Sequence, residues 1–333
     1  MAYRLKRGET IAEGIRRIVH EEVDSALKQL SHSQSKQRDK GIHEARKSIK
    51  KIRGAMRLIE PELGRAYNSE NTRLQQVGRK LSDIRDASAI IEVFDGLLEK
   101  HQEGLQKSAG AAIRRGLQAS KVETERRAGI GNAVKSATAA LRSIDKRVER
   151  WPLKNDGFAA IAGGLEKRYR NGRRAMSLAQ KNGAPEKYHE WRKRVKDHWY
   201  QVRLLESLWT EVMQAHEASL HELETWLGDD HNLVVLCGKL DKAPEQFGGE
   251  ENVKLFLALA AEEQKELREK SLSLGERVYE RKSRRFVRDM EKLWDAWQQQ
   301  PDSMKEEEKQ RRQTAKKQPG RAAAAPAKKT AAA

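Results

Sequence analysis

The strongest constraint on the fold of this chain is a basic helical motif that occurs twice, 146 residues apart. Each copy has the spacing HxxRKxxK, followed by one further arginine. Chance rarely keeps so many cations in register, so the repeat predicts a duplicated helical unit. The paired positions are His43 and His189, Arg46 and Arg192, Lys47 and Lys193, Lys50 and Lys196, and Arg57 and Arg203.

Apolar residues accompany each copy at alternating spacings of three and four, which places them on one face of a helix. In the first copy they are Ile42, Ala45, Ile49, Ile52, Met56 and Ile59. In the second copy the inward positions are Tyr188, Trp191, Val195, His198, Val202 and Leu205. The cations form a stripe beside this face. Arg53 adds to the stripe in the first copy, and Lys47 lies on its side away from the core. Each copy therefore predicts a basic stripe next to a buried seam.

The rest of the chain also keeps helical spacing, and no segment of any length alternates as a strand does. In the second half the pattern predicts helices at 212–228 and 233–240, with the run LGDDHN between them as a corner, and at 253–272 and 276–299. That corner matches LSDIRD, which starts at Leu81, at the same offset of 146. We predict an all-α fold of two pseudo-symmetric antiparallel bundles, residues 1–150 and 151–300, around a basic central cavity.

The last segment, residues 301–333, has a different composition, rich in Lys, Ala and Pro. It offers too little apolar surface to compensate the entropy of ordering, so we predict that it is disordered. The segment carries nine Lys and Arg against four Asp and Glu. Most of the net charge of +18 therefore belongs to residues 1–300.

The basic balance favours a polyanionic partner, but charge alone does not choose among nucleic acid, an anionic membrane and polyphosphate. The chain has no apolar run long enough for a membrane span or a secretory signal, and Cys237 is its one cysteine. We therefore expect a cytoplasmic protein.

The sequence lacks the motifs of common phosphate and zinc sites: a Gly-rich phosphate loop with its lysine is missing, and so are zinc-ligand spacings. We expect neither an enzyme nor a bound metal or cofactor.

The two HxxRKxxK motifs, the corners at Leu81 and Leu227, and both ends of residues 3–298 resemble the CHAD domain, the conserved histidine α-helical domain. The resemblance implies two helical bundles with a basic pore that binds inorganic polyphosphate. It also implies association with polyphosphate granules or, for some members, polyhydroxyalkanoate granules. This sequence departs from an equal repeat at Trp199, which stands where the first copy has Arg53.

The chemistry of the motif is consistent with that ligand. Arginine forms forked contacts to phosphate, lysine carries a mobile ammonium, and a neutral histidine donates one N–H. Because cations surround them, His43 and His189 should remain neutral until an anion binds. The predicted polyphosphate-binding residues are His43, Arg46, Lys47, Lys50, Arg53, Arg57, His189, Arg192, Lys193, Lys196 and Arg203.

Two alternatives remain open at this point. The charge and the Lys-Ala-Pro tail also suit a nucleic-acid-binding or nucleoid-associated protein. The second alternative is a structural scaffold of a granule coat, in which the tail and the helix surfaces do the binding.

Overall fold

A computed structural model describes residues 3–31, 38–81, 83–101, 107–127 and 129–300, without the side chains of residues 83–88, 107–109 and 125–127. The tail 301–333, predicted to be disordered, lies outside the described residues. Within them the chain forms α-helices and short 3₁₀ turns and no β-strand, so the all-α prediction is confirmed. The helices are α1 (Ile11–Ser31), α2 (Arg38–Leu58), α3 (Glu60–Leu63), α4 (Arg65–Lys80), α5 (Asp83–Lys100), α6 (Lys107–Arg127), α7 (Ile130–Arg147), α8 (Ala159–Asn182), α9 (Pro185–Leu204), α10 (Thr210–Lys242), α11 (Glu250–Val278) and α12 (Ser283–Gln299).

Local chemistry explains where several helices begin and end. At the start of α1 the backbone N–H of Thr10 donates to Glu13 Oε2 at 2.8 Å, and the N–H of Glu13 donates to Thr10 Oγ1 at 3.2 Å. This reciprocal pair satisfies backbone donors that the first helical turn leaves unpaired. Gly183 ends α8 with a φ of 70°, and Pro185 opens α9, where the missing N–H of proline costs nothing.

The predicted corner in the second half is wrong. Residues 227–232, the run LGDDHN, lie inside the continuous helix α10, whereas the matching run in the first half coincides with the end of α4 and the start of α5. Gly228 has no left-handed φ, so it does not break the helix. The predicted helix 276–299 is also too long, because residues 276–278 belong to α11 and α12 begins at Ser283.

Two apolar cores hold the helices together. The larger core contains residues of α1 to α4, α7 to α9, α12, α10 up to Leu227 and the end of α11 at Leu274. The smaller core joins α5, α6, α11 and α10 from Leu233 onward. Each core thus combines helices from both sides of residue 150. The division into bundles at that residue and their pseudo-two-fold relation remain predictions.

Both apolar seams of the repeated motif are buried, as predicted. All six apolar positions of α2 and its following residue are at most 2% exposed, and those of the second copy are at most 4% exposed. The helices α2 and α9 cross closely at Gly54, where a Cβ atom would lie 2.7 Å from Cβ of Tyr200. Only glycine permits this approach, which brings the two basic stripes next to each other. Among the described helices, none combines the length and the apolar character needed to cross a bilayer.

Candidate anion-binding site

Two cavities lie on either side of the α2 and α9 stripes. The first, which we name the α4 cavity, has a volume of about 660 Å³ and is lined by α2, α4, α9 and Arg168 of α8. The second, the α5 cavity, has a volume of about 760 Å³ and is lined by α2, α5, α9, α10 and α11. Four motif residues line both cavities, so the two cavities adjoin along the α2 and α9 stripes. They are Arg46, Lys50, His189 and Lys196.

The α4 cavity carries a large excess of positive charge. Among the residues that the structure describes, its lining includes nine lysines and arginines and two carboxylates, Glu190 and Asp197. Asp197 pairs with Arg57 at 3.2 Å and with Arg194 at 3.5 Å. The nine cations are Arg46, Lys50, Arg53, Arg57, Arg79, Arg168, Lys193, Arg194 and Lys196. An anion that entered this cavity would find several donors on three sides.

The α5 cavity has a more balanced charge. Of the residues whose side chains the structure describes, five lysines and arginines line it, together with the four carboxylates Glu92, Glu224, Asp229 and Glu263. Glu224 accepts hydrogen bonds from Arg192 Nε at 3.0 Å and from Lys196 Nζ at 2.5 Å. Carboxylates of the protein thus neutralise most of the positive charge of the α5 cavity.

Burial beside other cations lowers the pKa values of the lysines at this site. Burial, reinforced by the neighbouring Lys196 and Arg46, lowers the pKa of Lys50 to about 7. Burial also lowers the pKa of Lys196, although Glu224 opposes the shift. On the α4 side burial lowers the pKa of Arg53 to about 10, and its Nε donates to a neutral amide, Asn71 Oδ1, at 2.9 Å. Each of these charges would be stabilised by a bound anion.

His189 is neutral at the junction of the two cavities. Burial and the adjacent Lys193 and Arg192 lower its pKa to about 4. Its ring stacks on that of His231, with centroids 3.7 Å apart, and its Nδ1 atom is buried without a hydrogen-bond partner among the described residues. The expectation of a neutral imidazole therefore agrees with the environment of His189.

The structure brings nine of the eleven predicted binding residues to a cavity and places two elsewhere. Lys47 is half exposed and pairs with Glu44 at 3.2 Å, which agrees with its predicted place away from the core. Arg203 lines neither cavity. Its guanidinium pairs with Glu217 at 3.0 Å and lies 5.3 Å from the ring centroid of Trp199.

Several lining residues were not predicted from the sequence. Arg194 belongs to the second motif but has Ser48 as its counterpart, so the repeat gave no signal for it. Arg79 and Arg168 come from α4 and α8, and no spacing rule relates residues on different helices to the motif. Glu224 lies on α10 just before the run LGDDHN, which was wrongly predicted to be a corner, and His231 lies within that run.

A family model decides what kind of domain this is. The CHAD domain model matches residues 17–241, which span α2, α9 and most of α10. The chain belongs to the CHAD family. No curated protein sequence is significantly similar to the chain.

Two solved structures share the fold. The chain is similar to the CHAD domain from the plant Ricinus communis, with a TM-score of 0.63 and 16% identity over 84% of this chain and 95% of that chain. It is also similar to PptA from Streptomyces chartreusis, with a TM-score of 0.56 and 12% identity over 82% of this chain and 100% of that chain. At such low identity the likeness concerns the helical fold.

Proposed function

We propose that this CHAD protein binds inorganic polyphosphate, with the chain of phosphates lying in the α4 cavity along the two basic stripes. The observation that carries the proposal is the concentration of nine lysines and arginines around a cavity with two carboxylates. Such an arrangement disfavours the empty state, because like charges are held close together and partly out of water. The link of the CHAD family to polyphosphate supports the same ligand.

The shape of the site favours a thin polyanion over a duplex. A polyphosphate chain is flexible and carries about one charge per phosphate, so it can follow a cavity between helices. Duplex DNA is wide and requires an exposed surface or a helix that enters a groove. Each charge-assisted hydrogen bond contributes about 1.5–3 kcal/mol, so a few contacts from residues such as Arg46, Arg53 and Lys193 are enough for tight binding.

The proposal is one of binding without turnover, in the cytoplasm and in association with polyphosphate granules. A set of lysine and arginine donors holds the ligand by charge and hydrogen bonds and does not convert it. Release of orthophosphate from polyphosphate by the purified protein would contradict this part of the proposal.

A competition experiment tests which polyanion the protein prefers. Long-chain polyphosphate, duplex DNA and single-stranded RNA are titrated against the full chain at matched phosphate concentration and fixed physiological salt. We expect the tightest binding with polyphosphate, and an affinity that falls with salt because the release of counterions becomes less favourable. Equal or tighter binding of duplex DNA would instead support the nucleic-acid-binding alternative.

A further inference from the structure

A carboxylate of the protein already occupies the second copy of the motif. Glu224 is buried against α9, where it accepts hydrogen bonds from both Arg192 and Lys196. These two cations lower the pKa of Glu224 to about 2 in spite of its burial. The carboxylate is therefore ionised, and its oxygens lie where the oxygens of a bound phosphate would meet the same two donors.

The first copy has no such carboxylate at the corresponding position. The residue 146 positions before Glu224 is Gly78, which lines the α4 cavity together with Arg46 and Lys50. A Cβ atom on Gly78 would lie 3.9 Å from Ile49 Cγ2, an ordinary contact, so the helix leaves room for a side chain there. At this one position, 146 residues apart, the second copy has an acidic side chain and the first copy has none.

The region beyond Glu224 is also unfavourable to an anion. Asp229 and Glu263 line the α5 cavity together with Glu224. Burial raises the pKa of Asp229 to about 6, and the two glutamates add to this shift while Arg192 opposes it. A polyanion that moved from the α4 cavity into the α5 cavity would exchange a large excess of cations for a lining whose charge is nearly balanced by carboxylates.

We propose, on the basis of the function proposed above, that Glu224 is a built-in competitor of the phosphate chain. It engages Arg192 and Lys196 in the free protein, and it confines the ligand to the α4 cavity. Glu224 therefore determines which part of the duplicated motif is open to polyphosphate. The affinity for the ligand is lower than the cations of the motif alone would provide.

Substitution Glu224→Gln tests this role. The variant frees two donors and removes one repulsive charge, so we expect polyphosphate to bind about 10-fold or more tightly, the effect of roughly one additional charge-assisted hydrogen bond. The matched control is Glu206→Gln, which removes the same charge from an ion pair with Arg4 at 3.1 Å outside both cavities. For this control we expect a change below about 2-fold, because a distant charge is screened by salt.

The reciprocal substitution places a carboxylate in the first copy. We expect Gly78→Glu to bind polyphosphate about 10-fold more weakly than Gly78→Gln, because the two variants differ in charge but hardly in size. Both replace a glycine inside α4 by a better helix former. Circular dichroism and thermal melting show whether each variant folds, and the Gly78 pair decides the question if Glu224→Gln does not.

The outcomes separate the two proposals. If the wild-type chain binds polyphosphate but Glu224→Gln binds it equally or less tightly, Glu224 positions its two cations rather than competing for them, and this inference is overturned while the proposed function stands. Equal affinities of the folded Gly78→Glu and Gly78→Gln variants overturn it as well. If the wild-type chain does not bind polyphosphate even at low salt, the proposed function itself fails.

Discussion

The two copies of the basic motif share a spacing but not a set of partners. On α2, Arg53 and Arg57 both line the α4 cavity, one turn apart. On α9 the corresponding positions are Trp199 and Arg203, and neither residue lines a cavity. The comparison shows that a cationic spacing specifies which residues share a helix face, whereas the neighbouring helices determine whether that face meets a ligand.

The partners of Arg57 and Arg203 make this difference concrete. Arg57 Nε lies 3.2 Å from Asp197, a buried carboxylate that it shares with Arg194 at the edge of the cavity. Arg203 instead pairs with Glu217, and its guanidinium lies within 5.5 Å of the ring centroids of Trp199 and Tyr3. The cation–π contacts and the ion pair hold Arg203 in a structural role.

The largest expected effect comes from removing two arginines of α2 that line the α4 cavity. The double variant Arg46→Ala, Arg53→Ala should bind polyphosphate at least about 100-fold more weakly, because each arginine offers charge-assisted hydrogen bonds of about 1.5–3 kcal/mol. The control Lys328→Ala, Lys329→Ala changes the net charge equally, within the tail. Isothermal titration at fixed salt compares the two. Similar losses would mean that bulk charge rather than the motif drives binding.

A smaller effect separates the outer arginines of the two copies. Arg53→Ala should weaken polyphosphate binding by about 10-fold or more, since it removes a cation that faces the α4 cavity. Arg203→Ala should change the affinity by less than about 3-fold but lower stability by about 1 kcal/mol, through loss of its ion pair and ring contacts. Thermal melts and titrations of both variants provide the test. A larger loss of affinity for Arg203→Ala would restore the equal roles predicted from the repeat.

The smallest expected effect is a dependence on pH that arises at Lys50. Because the pKa of Lys50 is about 7 in the free protein, its amine is largely neutral above that pH and must take up a proton when a polyanion binds. Affinity should therefore fall by only about 5-fold or less in total as pH rises from 7 to 9, because a neutral amine still donates hydrogen bonds and the arginines of the cavity stay charged. Glu224 and His189, with pKa values of about 2 and 4, and Asp229, at about 6, titrate below this window.

Proton uptake is measured directly by calorimetry in buffers that differ in ionisation enthalpy. The variant Lys50→Arg provides the control, since a guanidinium remains charged throughout this range. Its affinity should vary much less between pH 7 and 9. An unchanged slope in Lys50→Arg would assign the proton to the ligand or to another residue.

The sequence by itself determined the helical class and the buried seam of each motif. Ile42 and Ile49 on α2, and Trp191 and Val195 on α9, are at most 2% exposed, as the alternating spacing of three and four predicts. Helical periodicity is a local property, because residues three or four apart must share a face. The same reasoning correctly set Lys47 apart from the core.

Only the tertiary structure decided what those faces meet. Inside the continuous helix α10, Gly228 packs closely against the guanidinium of Arg192: a Cβ there would lie 2.9 Å from its Nη2 atom. A glycine that serves close packing looks, in the sequence, like one that ends a helix. Likewise, Arg168 and Glu224 reach the stripes from other helices. Spacing along one helix carries no information about such neighbours, because contacts between helices depend on how the helices pack.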